Sequence, residues 1–212
     1  MITTSKVADS IKTSLTRQLF NLAKQYDDVI DFTLGDPDVQ THQAIKNAAC
    51  VAIQEGKTRY SQNAGLQCLR ETIHDYYIRT EGLEYCPNSE TIVTVGAMEG
   101  LYLALLALLD PGDEVIIPEP SYVAYVPCTL LTGATPVIIP LSEKNQFRLT
   151  KEELLDYITD KTKVLILPFP NNPTGAIMSQ KDIEDIAAVC IEKDIFVISD
   201  EIYSELVYDA KH

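Results

Sequence analysis

Along the chain, apolar positions first keep a helical rhythm and then, from about residue 91, a strand rhythm. Ile11, Leu15, Leu19 and Leu22 recur every three or four positions, which predicts one amphipathic helix over residues 8–26. Gly and Pro in "LGDPD" at 34–38 end it. Helices are also expected over 42–54 and 66–80, separated by the turn-rich "GKTRYSQNAG". Then come short runs rich in Val and Ile at 91–95, 114–118, 135–140, 163–168 and 195–199. Between them lie helical stretches near 97–109, 122–132, 150–158 and 179–193. Strands that are apolar on both faces and alternate with helices predict an α/β fold, a parallel sheet covered by helices on both sides.

In such a sheet the C-terminal ends of the strands line one edge, where ligands bind. Four strand exits carry polar or glycine-rich punctuation: Gly96-Ala97-Met98-Glu99-Gly100, "EPSYVAY" at 119–125, "PFPNNPTG" at 168–175 and "DEIY" at 200–203. A strand that runs through Gly96 into a helix offers backbone N–H groups and a positive dipole end, which suits a phosphate. Tyr122 could stack on a planar ring. Asp200 sits directly after an apolar strand, where a carboxylate needs a partner. Asn172 lies before Pro173, in a segment whose prolines and glycine hold one amide stiffly at a strand end. Taken singly, each has an ordinary alternative: a tight-turn glycine, a core tyrosine, a capping aspartate, a plain turn.

Composition narrows the classes. Seventeen basic and 31 acidic residues leave a net charge of −14, which argues against a nucleic-acid groove or an anionic membrane surface. The 46% hydrophobic content is enough for a sizeable core. Five cysteines without CxxC spacing and three scattered histidines suggest neither a disulfide framework nor a metal site. The N-terminus lacks the apolar core of a secretory signal, and the run "LYLALLALL" at 101–109 is too short to span a bilayer. A cytoplasmic protein with reduced thiols is expected. Neither GxxxxGK[ST] nor GxGxxG is present, so neither common nucleotide fingerprint applies.

"PNNPTG" followed by "SDEIY", with "GDPD", "RYSQNAGLQCLR", "VTVGAMEGLYLAL" and "PGDEVIIPEPSYVAY" ahead of them in order, resembles the fold-type-I pyridoxal-phosphate enzymes, specifically the class I/II aminotransferases. The resemblance covers roughly residues 12–208 and is closest to the aspartate/aromatic and diaminopimelate branch. It implies pyridoxal 5'-phosphate as cofactor, amino-acid and 2-oxo-acid substrates, and a homodimer. It also implies that Asp200 pairs with the pyridine nitrogen and that Asn172 and Tyr203 donate to the ring's phenolic oxygen. The amides of Ala97 and Met98 would hold the phosphate, and Tyr122 would stack on the ring. Tyr60 would reach the phosphate in the neighbouring subunit, and Gly35 would lie near the substrate carboxylate. Met98 stands where many members carry a polar side chain.

The resemblance further implies a large domain over residues 41–212, preceded by an N-terminal helix and arm over 1–40. The large domain would be truncated before its last strands and the C-terminal small domain. The family's Schiff-base lysine is then expected beyond His212, as is the arginine for the substrate carboxylate. Lys211, eight positions past Tyr203 with no strand between, is not expected to replace that lysine. No catalytic residue is therefore assigned, and the isolated 212-residue chain is expected to be inactive. Without its later strands, the 91–95 strand would be separated from its neighbours and sheet edges would be left open. A lyase of the same fold, or a fragment that only binds or associates, remain the alternatives to a transferase.

Overall fold

A computed structural model describes residues 3–11, 15–30 and 39–208. These belong to two compact units, one formed by residues 1–12 with 95–212 and the other by residues 13–94. The segment expected as one helix over 8–26 is two, α1 (Lys6–Ser10) and α2 (Leu15–Ala23). Ser5 caps α1 by accepting the Ala8 N–H at 3.2 Å, and Ile11 leaves the helix in extended conformation. The Ser10 hydroxyl donates back to the Val7 carbonyl at 2.7 Å. Short polar side chains of this kind compete with the helical backbone, which explains the break.

The smaller unit carries α2, α3 (Gln43–Gln54) and α4 (Gln67–Glu81), the last two within a residue of expectation. Helix α4 has one buried side chain, Arg70, at 6% exposure. Its guanidinium donates to Gly65 O at 3.3 Å, Gln62 Oε1 at 3.1 Å and Gln67 Oε1 at 2.6 Å, and also to Pro87 O. The turn before α4 is therefore gathered around one cation. Gly65 has φ +95°, and a Cβ there would stand 2.6 Å from Val93 Cβ, so only glycine fits.

The expected strand at 91–95 does not form. Val93 N–H donates to Ala64 O at 3.0 Å, but no described strand runs alongside. A β-rich run becomes a strand only when a neighbour takes its backbone groups.

The larger unit holds α1, then α5 (Ala97–Leu108), β1 (Glu114–Glu119), α6 (Tyr125–Leu131) and β2 (Thr135–Pro140). After a 3-10 turn come α7 (Lys151–Tyr157), β3 (Thr162–Leu167), α8 (Gln180–Lys193) and β4 (Phe196–Ser199). Thr150 and Ser179 open α7 and α8 with reciprocal capping boxes. The sheet is fully parallel in the order β2-β1-β3-β4, with Ile117 beside Ile138, Ile116 beside Leu165 and Ile166 beside Ile198.

Alternate residues of the central strands serve two cores. Val115, Ile117, Val164 and Ile166 pack with Leu101 and Leu105 of α5 and Tyr125 and Cys128 of α6. Ile116, Leu165 and Leu167 pack with Leu154 of α7 and Ile186 and Val189 of α8. Each fully buried aliphatic side chain contributes about 1.5–3 kcal/mol. Helices thus cover both faces, as the two-sided apolar strands require.

From β1 the chain crosses one way to β2 and then returns past β1 to β3. Right-handed crossovers in opposite directions put α6 on one face and α7 and α8 on the other. The direction switches between β1 and β3, which opens a crevice beyond their C-terminal ends. Among the described residues β4 pairs with β3 alone, and its Phe196 is 60% exposed.

Candidate functional site

A cavity of about 320 Å³ occupies that crevice. This lies within the usual range of small-ligand clefts, about 300–1,000 Å³. All of its walls come from the larger unit. The start of α5 and the exits of β1, β3 and β4 each supply one part.

The first part is the start of α5. Gly96 is its N-cap, at φ +79° and ψ 161°, with no side-chain cap. Ala97 and Met98 form the first turn, whose amides have no carbonyl partner within the helix. The Glu99 carboxylate folds back to accept the Val95 N–H. Both Ala97 and Met98 line the cavity.

At the β1 exit the expected helix over 122–132 begins three residues late, because Tyr122 O accepts the Tyr125 N–H in a turn. Tyr122 is thereby left ahead of α6 as a ring on the cavity wall. It meets Tyr125 edge-on, with centroids 5.7 Å apart and planes at 80°. Burial first, then nearby Cys128, Tyr203 and Asp200, push its phenol above the ordinary value.

After β3, "NNPTG" is a closed turn. Asn171 N–H donates to Ala176 O at 2.9 Å, and Gly175 N–H to Asn171 O at 2.8 Å. Asn171 is 4% exposed, and its Oδ1 accepts both the N–H and the hydroxyl of Thr174. One asparagine thus holds the turn shut while the next, Asn172, faces the cavity. Stiffness here has a definite product, an amide held at a strand end.

Asp200 continues the β4 ladder through its N–H to Leu167 O at 3.1 Å. Its Oδ1 accepts the Ile202 N–H at 3.3 Å and its Oδ2 the Tyr125 hydroxyl at 2.8 Å. The chain then turns, with Ser204 N–H donating to Glu201 O. Tyr203 is thereby brought to Asn172, whose Nδ2 donates to the phenol oxygen at 3.3 Å. Glu201 accepts from Ser199 at 2.7 Å and does not line the cavity.

Six of the singled-out residues, Ala97, Met98, Tyr122, Asn172, Asp200 and Tyr203, therefore converge on one space. Tyr60 belongs to the smaller unit, where its side chain is fully exposed. Gly35 and Lys211 lie outside the described residues. Tyr125 received no role from sequence. Its only signal was a second tyrosine three places after Tyr122. Burial, followed by the bond to Asp200, drives its phenol far above the ordinary value, so it stays a donor. All five cysteines are free thiols. Among the described residues no three acidic, Cys or His side chains cluster for a metal, and no helix is long and apolar enough to cross a membrane.

Known proteins resemble this chain in sequence and fold. An aspartate aminotransferase of Pyrococcus abyssi is 43% identical over 205 residues, covering 96% of this chain and 53% of the relative. An aromatic-amino-acid aminotransferase of Thermococcus litoralis is 39% identical, covering 95% and 52%. The solved structure of aspartate aminotransferase from Thermus thermophilus with maleate superposes with a TM-score of 0.94 at 36% identity, over 100% of this chain and 56% of that one. The chain spans about half the length of the curated relatives it matches. The family model for aminotransferase class I and II matches residues 27–212, and the chain belongs to that family.

Proposed function

We propose that this chain is the cofactor-binding portion of a pyridoxal-phosphate-dependent aminotransferase, which moves an amino group between an amino acid and a 2-oxo acid. The observation that carries this is the convergence of Asp200, Asn172, Tyr203 and Tyr122 on one cleft beside the start of α5. The donor set fits the cofactor group by group. A carboxylate already gripped by two donors keeps lone pairs for a ring N–H. The Asn172–Tyr203 pair offers two donors to one oxygen. An N-cap without a side chain leaves the helix start open to a phosphate.

When bound, pyridoxal phosphate supplies an electron-withdrawing ring that stabilises negative charge at the substrate α-carbon. Asp200 holds the proton on the ring nitrogen, which deepens that electron sink. Asn172 and Tyr203 orient the phenolic oxygen. The amides of Ala97 and Met98 fix the phosphate, and Met98 brings no side-chain hydrogen bond to it. Tyr122 covers one face of the ring. In a homodimer Tyr60 would reach the partner's phosphate site, and the resemblance gives Gly35, outside the described residues, to the substrate carboxylate. Residues 41–212 are assigned to the large domain and 1–40, which carry α1 and α2, to an N-terminal arm, in a cytoplasmic enzyme.

The test is a coupled assay on the full product of the gene that encodes this chain, with aspartate, glutamate and aromatic donors and 2-oxoglutarate as acceptor. Acceptor-dependent formation of a new amino acid is the expected result. Breakdown of the donor without any need for a 2-oxo acid would replace transamination by lyase chemistry.

A further inference from the structure

Outside the residues that face the cofactor in the reading above, one buried polar group is tied directly to the site. Tyr125 is 2% exposed and opens α6 within the core between the sheet and α5. Its hydroxyl spans 75 positions of sequence to reach Asp200 Oδ2 at 2.8 Å. The other carboxylate oxygen takes the Ile202 N–H at 3.3 Å, from the turn that Asp200 itself begins. One grip is therefore local, and the other comes from a different strand exit.

The local grip alone does not fix the plane of the carboxylate. The last torsion of an aspartate is broad, so a carboxylate held at one oxygen by a long bond can rotate. A second donor on the second oxygen removes that freedom and sets where the remaining lone pairs point. We propose that Tyr125 is a positioning residue, which holds the Asp200 carboxylate plane so that a free lone pair meets the ring nitrogen of a bound pyridine cofactor. This rests on the cofactor assignment proposed above. Tyr125 also buttresses Tyr122 edge-on at 5.7 Å, so its ring and its hydroxyl have separable tasks. The ring supports the stacking wall, while the hydroxyl aims the acid.

Tyr125→Phe removes the hydroxyl and keeps the ring. The experiment titrates the protein with pyridoxal phosphate and with the analogue that carries CH in place of the ring nitrogen. The ratio of the two dissociation constants, read on one preparation, cancels any loss of folded protein. The unsubstituted protein should prefer pyridoxal phosphate. Tyr125→Phe should shrink that preference roughly tenfold, the scale of one lost hydrogen bond to a charged group, while leaving affinity for the analogue unchanged. In Asp200→Asn, adding Tyr125→Phe should change the ratio no further, because both act on one link. An equal loss for both ligands would reduce Tyr125 to packing and overturn the proposal, as would an unchanged ratio. If the unsubstituted protein bound neither compound, or both alike, the cofactor assignment would fall and carry the proposal with it.

Discussion

Asn172 and Tyr203 come from different strand exits, and the Asn172 amide donates to the Tyr203 phenol oxygen at 3.3 Å. That direction leaves the Tyr203 O–H and the second Asn172 N–H to point elsewhere, and both side chains line the same cavity. Two donors aimed at one acceptor should act as a unit. Tyr203→Phe and Asn172→Ala are each expected to weaken pyridoxal-phosphate binding by about fivefold, near 1 kcal/mol. The double variant should lose less than the product of the two, since each supports the other. Equilibrium titration of the four proteins checks this, and full additivity would mean that the two never share an acceptor.

A second prediction concerns the smaller unit. Arg70 is buried with four acceptors around it and no carboxylate among those partners. Arg70→Ala would leave several of these acceptors unpaired, so stability should fall by about 2–4 kcal/mol. Arg70→Lys should recover little, because an ammonium has three donors on a point charge and cannot reproduce the planar fork. Urea unfolding, followed by a signal from residues 13–94, would measure both. A lysine variant as stable as the parent would show that the charge matters and the fork does not.

What could be read ahead of the structure depended on how local each signal was. The strand exits were legible because an apolar run that meets Pro, Gly or Asp announces its own end, as at Leu167–Pro168 and Ser199–Asp200. The stiffness of "NNPTG" was equally local, although Asn171 as its latch was not anticipated. Residues 91–95 misled, because Val and Ile content reports strand propensity while strand formation depends on a neighbour elsewhere in the chain. Tyr125 was invisible for the same reason. Its meaning depends on the β1 exit standing near the β4 exit, which follows from the order β2-β1-β3-β4 and from no single window of sequence. The break of the first helix lay in short hydroxyl side chains whose backbone bonding periodicity does not weigh.

The acid limb of stability should have a marked contribution from Asp182. Burial pushes its carboxyl upward, but hydrogen bonds from the Ser179 hydroxyl and N–H and the Arg148 guanidinium outweigh this and leave it below the ordinary value. Arg148 Nη1 lies 2.8 Å from Asp182 Oδ2, and the same carboxylate completes the capping box of α8. A group whose pKa is lower folded than unfolded stabilises fully above the unfolded value, about 3.9 for aspartate, and stops doing so as pH falls through the folded value. Asp182→Asn should therefore cost about 1 kcal/mol at neutral pH, the usual scale of a lost helix cap. The cost should shrink below about pH 4, as the parent's own carboxylate protonates. Thermal unfolding of both proteins between pH 7 and pH 3 tests the sign. A gap that widened toward acid would contradict it.

Asp200 allows fold and chemistry to be separated at one position. Its carboxylate receives Tyr125 and Ile202, so Asp200→Ala leaves a buried phenol without an acceptor. That should lower stability by about 1–3 kcal/mol. Asp200→Asn keeps the shape and keeps a carbonyl oxygen for the Tyr125 hydroxyl, so most of this loss should return. The asparagine is neutral, however, and cannot hold a proton on a ring nitrogen through charge. In the full gene product both variants should lose turnover by about 10²–10³-fold, the scale on which removing one well-placed electrostatic partner slows an enzyme. Stability would then follow the hydrogen bond while turnover followed the charge. Melting temperature and steady-state transamination, measured side by side on the three proteins, decide it. If Asp200→Asn turned over at near the parental rate, Asp200 would be a structural latch for Tyr125, and the ring nitrogen would have to find its partner elsewhere.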